Sequence, residues 1–184
     1  VESPYALKKF IAAIKLAFPE EERNRILFAA NIETITACEL TDEMLKAENI
    51  ETIGGIVVGR GDLSCSIGLT RDDINCEKVF KLSETVLQKA KSKNLETVIG
   101  GGVSADSLPF FEKLSPGLLD KFETRKVIFD FSSYEHEKAR EGILKAVGFE
   151  LLWLKNKRDY YGLIANEDEV RIRTLESRYK NSIE

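Results

Sequence analysis

Two acids stand where short apolar runs end. Residues 26–32 (Ile-Leu-Phe-Ala-Ala-Asn-Ile) close on Glu33, and Ile53, Ile56, Val57 and Val58 run into Gly59, with Asp62 three residues further on. Carboxylates at the ends of neighbouring parallel strands, ~4.8 Å apart, can share one ion. Mg²⁺ takes one or two carboxylates at ~2.1 Å and fills its octahedron with waters and substrate oxygens; Mn²⁺ or Co²⁺ suits similar oxygen ligands. The other reading is two acids solvated independently. Gly59 and Gly61 leave the backbone bare on either side of Arg60, so main-chain N–H groups there can approach an anion closely. A carboxylate beside open amides can hold a metal and a small acid together, or the segment is a tight strand-to-loop turn.

Further along, Gly100-Gly101-Gly102 followed by Val103-Ser104 either cradles a phosphate or carboxylate against the next helix or is a tight turn without ligand. Glu123, Thr124 and Arg125 occupy a fourth loop. Arg125 is a natural fork for a substrate carboxylate, or it pairs internally with Glu123 or another acid. Cys65 has no base partner in the sequence, and the one histidine, His136, reads as a surface or packing residue. Nothing resembles a Ser-His-Asp or Cys-His arrangement, so nucleophilic acyl chemistry is not indicated. Trp153, Tyr160 and Tyr161 read as packing or oligomer-interface residues, and Lys155, Lys157 and Arg158 as a solvated face.

These residues need elements to carry them. Ser3 and Pro4 open a helix with Leu7, Phe10, Ile11, Ile14 and Phe18 at helical spacing. Strands are predicted at residues 26–32, 53–58 and 95–99, with a fourth inside 119–131 that ends near Arg125. A short helix opens at Thr41, an amphipathic helix capped by Asp73 or Asn75 carries Val79, Leu82, Val86, Leu87 and Ala90, and another starts at Ser104–Ser107. From His136 onward the chain reads as helix in two stretches, the second beginning at Asn166 on the acidic turn Glu167-Asp168-Glu169. Strands alternating with helices make βαβ units and a parallel sheet. A complete (β/α)₈ barrel takes ~250 residues, so the expected fold is α/β of TIM-barrel type, its C-terminal half in residues 1–135, with a helical extension over 136–184. Four buried-type strands leave two apolar edges; the missing strands are expected from an N-terminal half-barrel or from a second copy in a homo-oligomer.

The 184 residues are 43% hydrophobic and 32% charged with a net charge of −4, an ordinary globular composition. Mild acidity with interspersed Lys and Arg argues against nucleic acid, and no apolar run approaches the ~20 residues of a membrane span. Three cysteines (Cys38, Cys65, Cys76) without CxxC spacing indicate neither a disulfide framework nor zinc, which suits a reducing cytoplasm.

Taken together, Val1-Glu2-Ser3-Pro4, Asn31-Ile32-Glu33-Thr34 and Val58-Gly59-Arg60-Gly61-Asp62-Leu63-Ser64 resemble the HpcH/HpaI-type 2-oxo-acid aldolase and citrate lyase β-subunit family of phosphoenolpyruvate/pyruvate-binding barrels. That family carries a strand ending in (Q/I)-E-T and a later G-x-x-D-L-(S/A) segment. The resemblance covers about residues 1 to 130 and implies a divalent-metal-dependent carbon–carbon lyase. Its metal, Mg²⁺ or Mn²⁺/Co²⁺, would fall to Glu33 and Asp62. The amides of Gly59, Arg60 and Gly61 would take the carboxylate of a small 2-oxo acid or acyl thioester. The resemblance also implies that this chain holds strands five to eight, with the family's substrate-binding arginine and acid/base histidine in the other half. A non-catalytic half-barrel that serves as scaffold or ligand binder, and a phosphate-binding barrel enzyme using Gly100–Gly102, are the alternative readings.

Overall fold

A computed structural model of the chain describes residues 1–132 and 135–182. The elements run α1 (Pro4–Ala17), α2 (Glu20–Arg23), β1 (Ala29–Ile32), α3 (Ile35–Glu39), α4 (Thr41–Met44), β2 (Gly55–Gly59) and α5 (Arg60–Ser66). They continue through α6 (Glu77–Lys91), β3 (Glu96–Gly100), α7 (Leu108–Glu112), β4 (Lys121–Glu123), β5 (Ile128–Asp130) and α8 (His136–Lys180). The sheet order is β1-β2-β3-β4-β5, with the first three pairings parallel and the last antiparallel. Consecutive strands that are adjacent and parallel follow the singly wound order of a barrel rather than the reversing order of a doubly wound sheet. The α/β, barrel-type series expected from the sequence is therefore present.

Local sequence explains most element boundaries. Ser3 accepts a hydrogen bond from the Ala6 amide at 3.2 Å with Pro4 at the first helical position, so α1 starts where expected. β1 begins at Ala29 rather than Ile26, because the Arg25 and Ile26 amides extend the turn of α2 by bonding Glu22 and Arg23 carbonyls. The helix α6 is capped at Cys76, not Asp73 or Asn75; Asp73 is already engaged, accepting from the Thr70 amide and hydroxyl at 2.9 and 2.7 Å. The predicted fourth strand breaks into a hairpin. The Thr124 amide donates to the Val127 carbonyl at 2.9 Å and the Val127 amide donates back to Thr124 Oγ1 at 3.1 Å, reversing the chain.

From His136 there is one 45-residue helix, not two; no proline interrupts it, and the acidic turn at 167–169 lies inside it. The chain divides into two compact units, Val1–Ala146 and Val147–Glu184. The first takes in Ile143 and Ala146, buried on the opening turns of α8, whereas the second is helix up to Lys180 and buries none of its described residues. No helix among the described residues is long and apolar enough to cross a membrane.

Within the first unit the strands alternate. Ala30, Ile32, Ile56, Val58, Ile99 and Phe122 are buried in one core with Leu7 and Ile11 of α1 and Val79, Val86 and Leu87 of α6. Residues of opposite parity, among them Asn31, Glu33, Gly59, Gly100 and Glu123, stand on the other face of the sheet.

Candidate functional site

Register lines up the C-terminal ends of the four parallel strands. Ile32 pairs with Val58, Gly59 with Gly100, and Ile99 with Phe122, so the next residues form one row across the sheet: Glu33, Gly59, Gly100, Glu123. Two glutamates bracket two glycines. A Cβ on Gly59 would stand 2.5 Å from Glu33 Oε1 and 2.6 Å from its Cγ; one on Gly100 would stand 3.0 Å from Glu123 Oε1 and 3.1 Å from its Cγ. Each glutamate thus lies over the glycine of the next strand, in space that any other residue would fill.

Glu33 Oε1 accepts from Asn31 Nδ2 at 3.1 Å. Burial pushes the Glu123 carboxyl above the usual carboxylate range, and the neighbouring Glu33 charge pushes it further. Among the described residues no Lys, Arg or His forms an ion pair with either glutamate. The row is a place where negative charge converges without a protein cation to meet it.

Asp62, in the first turn of α5, is exposed and pairs with Arg71 at 2.7 Å. Glu33 leans toward the strand that delivers it, over Gly59. Gly101, at φ +80°, packs against the start of α5: a Cβ there would stand 2.5 Å from the Gly61 nitrogen and 2.7 Å from the Arg60 nitrogen. Glycine keeps clear the amides that have no partner within the helix.

Arg60 turns inward. Its side chain is fully buried, donating from Nε to the Gly100 carbonyl (3.3 Å), from one terminal nitrogen to Asn75 Oδ1 (2.6 Å), and from the other to the Gly101 carbonyl and Ser107 Oγ (3.3 and 3.1 Å). Its guanidinium lies 4.7 and 5.2 Å from the Phe110 and Phe111 ring centroids. Burial lowers its pKa to about 9, still above neutrality, so it is an interior cation held by carbonyls and rings. Its fork grips the Gly100–Gly101 loop from within.

Arg125 sits in the turn between β4 and β5, exposed, with no hydrogen bond or ion pair among the described residues; the internal pair with Glu123 is not formed. Cys65 is exposed, and His136 Nδ1 lies 2.6 Å from a Glu112 carboxylate oxygen.

The structure therefore places Glu33, Gly59 and Gly61 at one edge of the sheet and adds Glu123; it takes the Arg60 side chain away, and the Asp62 carboxylate on α5 is engaged by Arg71 rather than by Glu33. Glu123 has a sequence signal like that of Glu33, an acid directly after a short apolar strand. Its role in the row needs the register. The donor chemistry fits a divalent ion: hard carboxylate oxygens, a glycine cradle that a Cβ would fill, and negative charge on Glu33 and Glu123 that no ion pair among the described residues meets. No group of three or more His, Cys, Asp or Glu able to hold a metal is found among the described residues, so an ion here would rest on two carboxylates with waters or substrate oxygens.

No family model and no curated protein matches this chain. Among solved structures it is similar to a variant of the citrate synthase SbnG (15% identity, TM-score 0.52, covering 85% of this chain and 61% of that one). It is also similar to an HpcH/HpaI aldolase from Desulfitobacterium hafniense DCB-2 (21% identity, TM-score 0.44, covering 51% and 35%). A third is an HpcH/HpaI aldolase/citrate lyase family protein from Burkholderia cenocepacia J2315 (16% identity, TM-score 0.49, covering 61% and 52%). The chain spans between 35% and 61% of the length of these structures. The first of these shares the fold over most of this chain.

Proposed function

We propose that the chain carries the metal-binding part of a divalent-metal-dependent carbon–carbon lyase of the aldolase/citrate lyase kind, acting on a 2-oxo acid or an acyl-CoA-type substrate. One observation carries the reading: Glu33 and Glu123 lie over a pair of in-register glycines at the C-terminal edge of a barrel-type sheet with no cation to neutralise them. That edge is where barrels of this type place their chemistry.

Glu33 and Asp62 would hold Mg²⁺, Mn²⁺ or Co²⁺. When bound, such an ion supplies Lewis-acid stabilisation to the enolate that C–C cleavage or formation passes through. Gly59 keeps Glu33 flat against the sheet. Gly101 keeps the Arg60 and Gly61 amides open to the substrate carboxylate, and Arg60 fixes the loop that bears Gly101. Arg125 offers a second, bidentate contact to a carboxylate. Glu123, which holds its proton to higher pH than an ordinary glutamate, is placed to give or take a proton beside Glu33. Three unpaired cysteines suit a reducing compartment such as the cytoplasm.

Asp62→Asn in the intact protein tests the reading. It should abolish Mg²⁺- or Mn²⁺-dependent exchange of pyruvate methyl protons for deuterium, followed by NMR. Exchange at the wild-type rate in that variant would refute it.

A further inference from the structure

Beyond Ala146 the helix α8 buries no residue among those described, and its large apolar residues are out in solvent. Half of those beyond Ala146 fall on one stripe. Steps of three and four residues alternating from Leu144 generate Val147, Leu151, Leu154, position 158, Tyr161, Ala165, position 168, Ile172, Leu175 and Tyr179. This is the 3.5-residue repeat of a coiled-coil seam, sustained over about five heptads. The large residues of that seam are between 43% (Val147) and 68% (Tyr179) exposed. Only two seam positions are charged, and they are of opposite sign: Arg158 and Asp168.

We propose that this stripe docks on the same stripe of a second copy, with the two helices antiparallel and centred near Leu163. In that register Arg158 faces Asp168 of the second copy, and the symmetry makes the contact twice. Every other layer is then apolar against apolar: Val147 on Tyr179, Leu151 on Leu175 and Leu154 on Ile172. Tyr161, the bulkiest central residue, meets Ala165, the smallest. Beside the seam, Lys155 meets Glu169 and Glu150 meets Arg178; Lys157 opposite Arg171 is the one repulsive flank. A parallel pairing would instead place Arg158 on Arg158 and Asp168 on Asp168 inside the seam, two like-charge contacts away from water. In the single chain Arg158 is engaged by its exposed sequence neighbour Asp159, a contact of little worth that the dimer replaces. A seam from 147 to 180 is about 50 Å long at 1.5 Å per residue. The inference is independent of the reading of the carboxylate row.

Sedimentation equilibrium on the full chain tests it, with far-UV circular dichroism to verify that each variant remains helical. The wild type should be a dimer. Arg158→Asp and Asp168→Arg should each weaken dimerisation by about tenfold or more, and the double charge swap should restore it to within about threefold of wild type. A wild-type monomer, single variants that dimerise as well as wild type, or a double swap that fails to rescue would each overturn the antiparallel pairing. Unaffected single variants are what a parallel pairing, whose like-charge contacts the swaps merely exchange, or a dimer built elsewhere would give.

Discussion

The two ends of the parallel sheet treat the acids at their strand ends in opposite ways. At the N-terminal end each carboxylate is matched. Asp120 takes the Lys91 ammonium on both oxygens at 2.6 Å and the Thr97 amide at 2.7 Å, and Glu96 pairs with Lys121. Burial pushes Asp120 up, but these donors outweigh it and hold the carboxyl below its ordinary range. Those pairs rim a cavity of about 920 Å³ together with Asn94, Leu119 and Phe131. At the C-terminal end Glu33 and Glu123 have no ion pair among the described residues, and Glu123 is pushed the other way. Charges matched inside the protein serve stability, whereas charges left converging over bare backbone cost it. In barrel folds the two faces divide in the same sense.

The comparison can be broken most severely from beneath the C-terminal row. Arg60→Met would strand the Gly100 and Gly101 carbonyls, Asn75 and Ser107 without their donor. Denaturant unfolding should show a loss of about 3–5 kcal/mol, and a loss under about 1 kcal/mol would mean that the loop is held by something else.

Next in size is Asp120→Asn at the opposite end, with a cost of about 1.5–3 kcal/mol at neutral pH. Because the folded-state pKa of Asp120 is depressed, that stability is present above its unfolded value of 3.8 and lost as pH falls through the folded one. The gap between wild type and variant should therefore narrow in acid while Mn²⁺ affinity is untouched. A gap that does not change with pH would contradict the ion-pair account.

Gly59→Ala should displace Glu33 and cost about 1 kcal/mol of stability, but it should weaken Mn²⁺ binding roughly tenfold. Equal affinity in calorimetric titrations would show that the position of Glu33 is unimportant.

The smallest effect has the opposite sign. Glu123→Gln should stabilise the ligand-free chain at neutral pH by less than about 1 kcal/mol, given solvent screening. The folded pKa of Glu123 is raised, so the unfavourable charge exists only above it. The gain should fade as pH drops toward the ordinary glutamate value of 4.5. Thermal melts at several pH values would check both slopes, which must run in opposite directions for the two acids.

Much of this contrast could be read before the structure, and the rest depends on geometry that sequence does not carry. The apolar runs before Glu33 and Gly59 and the helical spacing of α6 announce alternating strands and helices, hence a parallel sheet with acids at its C-terminal edge. The hairpin at Thr124–Val127 is only half visible: the polar Glu-Thr-Arg-Lys stretch (123–126) reads as a loop, but nothing in the sequence says that the apolar stretch after it returns antiparallel to the first. The Glu33–Glu123 relation is hidden because register across three strand pairs decides it. Arg60 is the sharpest case. Gly-Arg-Gly suits an outward anion grip equally well, and only Asn75, Ser107, Phe110 and Phe111, distant in sequence, turn the side chain inward.

The central claim is that Glu33, with Asp62, holds a divalent cation at the C-terminal edge of the sheet. Titrating Mn²⁺ into the intact protein and following the loss of free-ion signal by electron paramagnetic resonance tests it most directly, with Glu33→Gln compared against Asp120→Asn. Binding weakened at least tenfold by Glu33→Gln and left at the wild-type level by Asp120→Asn is the predicted result. Equal binding by wild type and Glu33→Gln would contradict it.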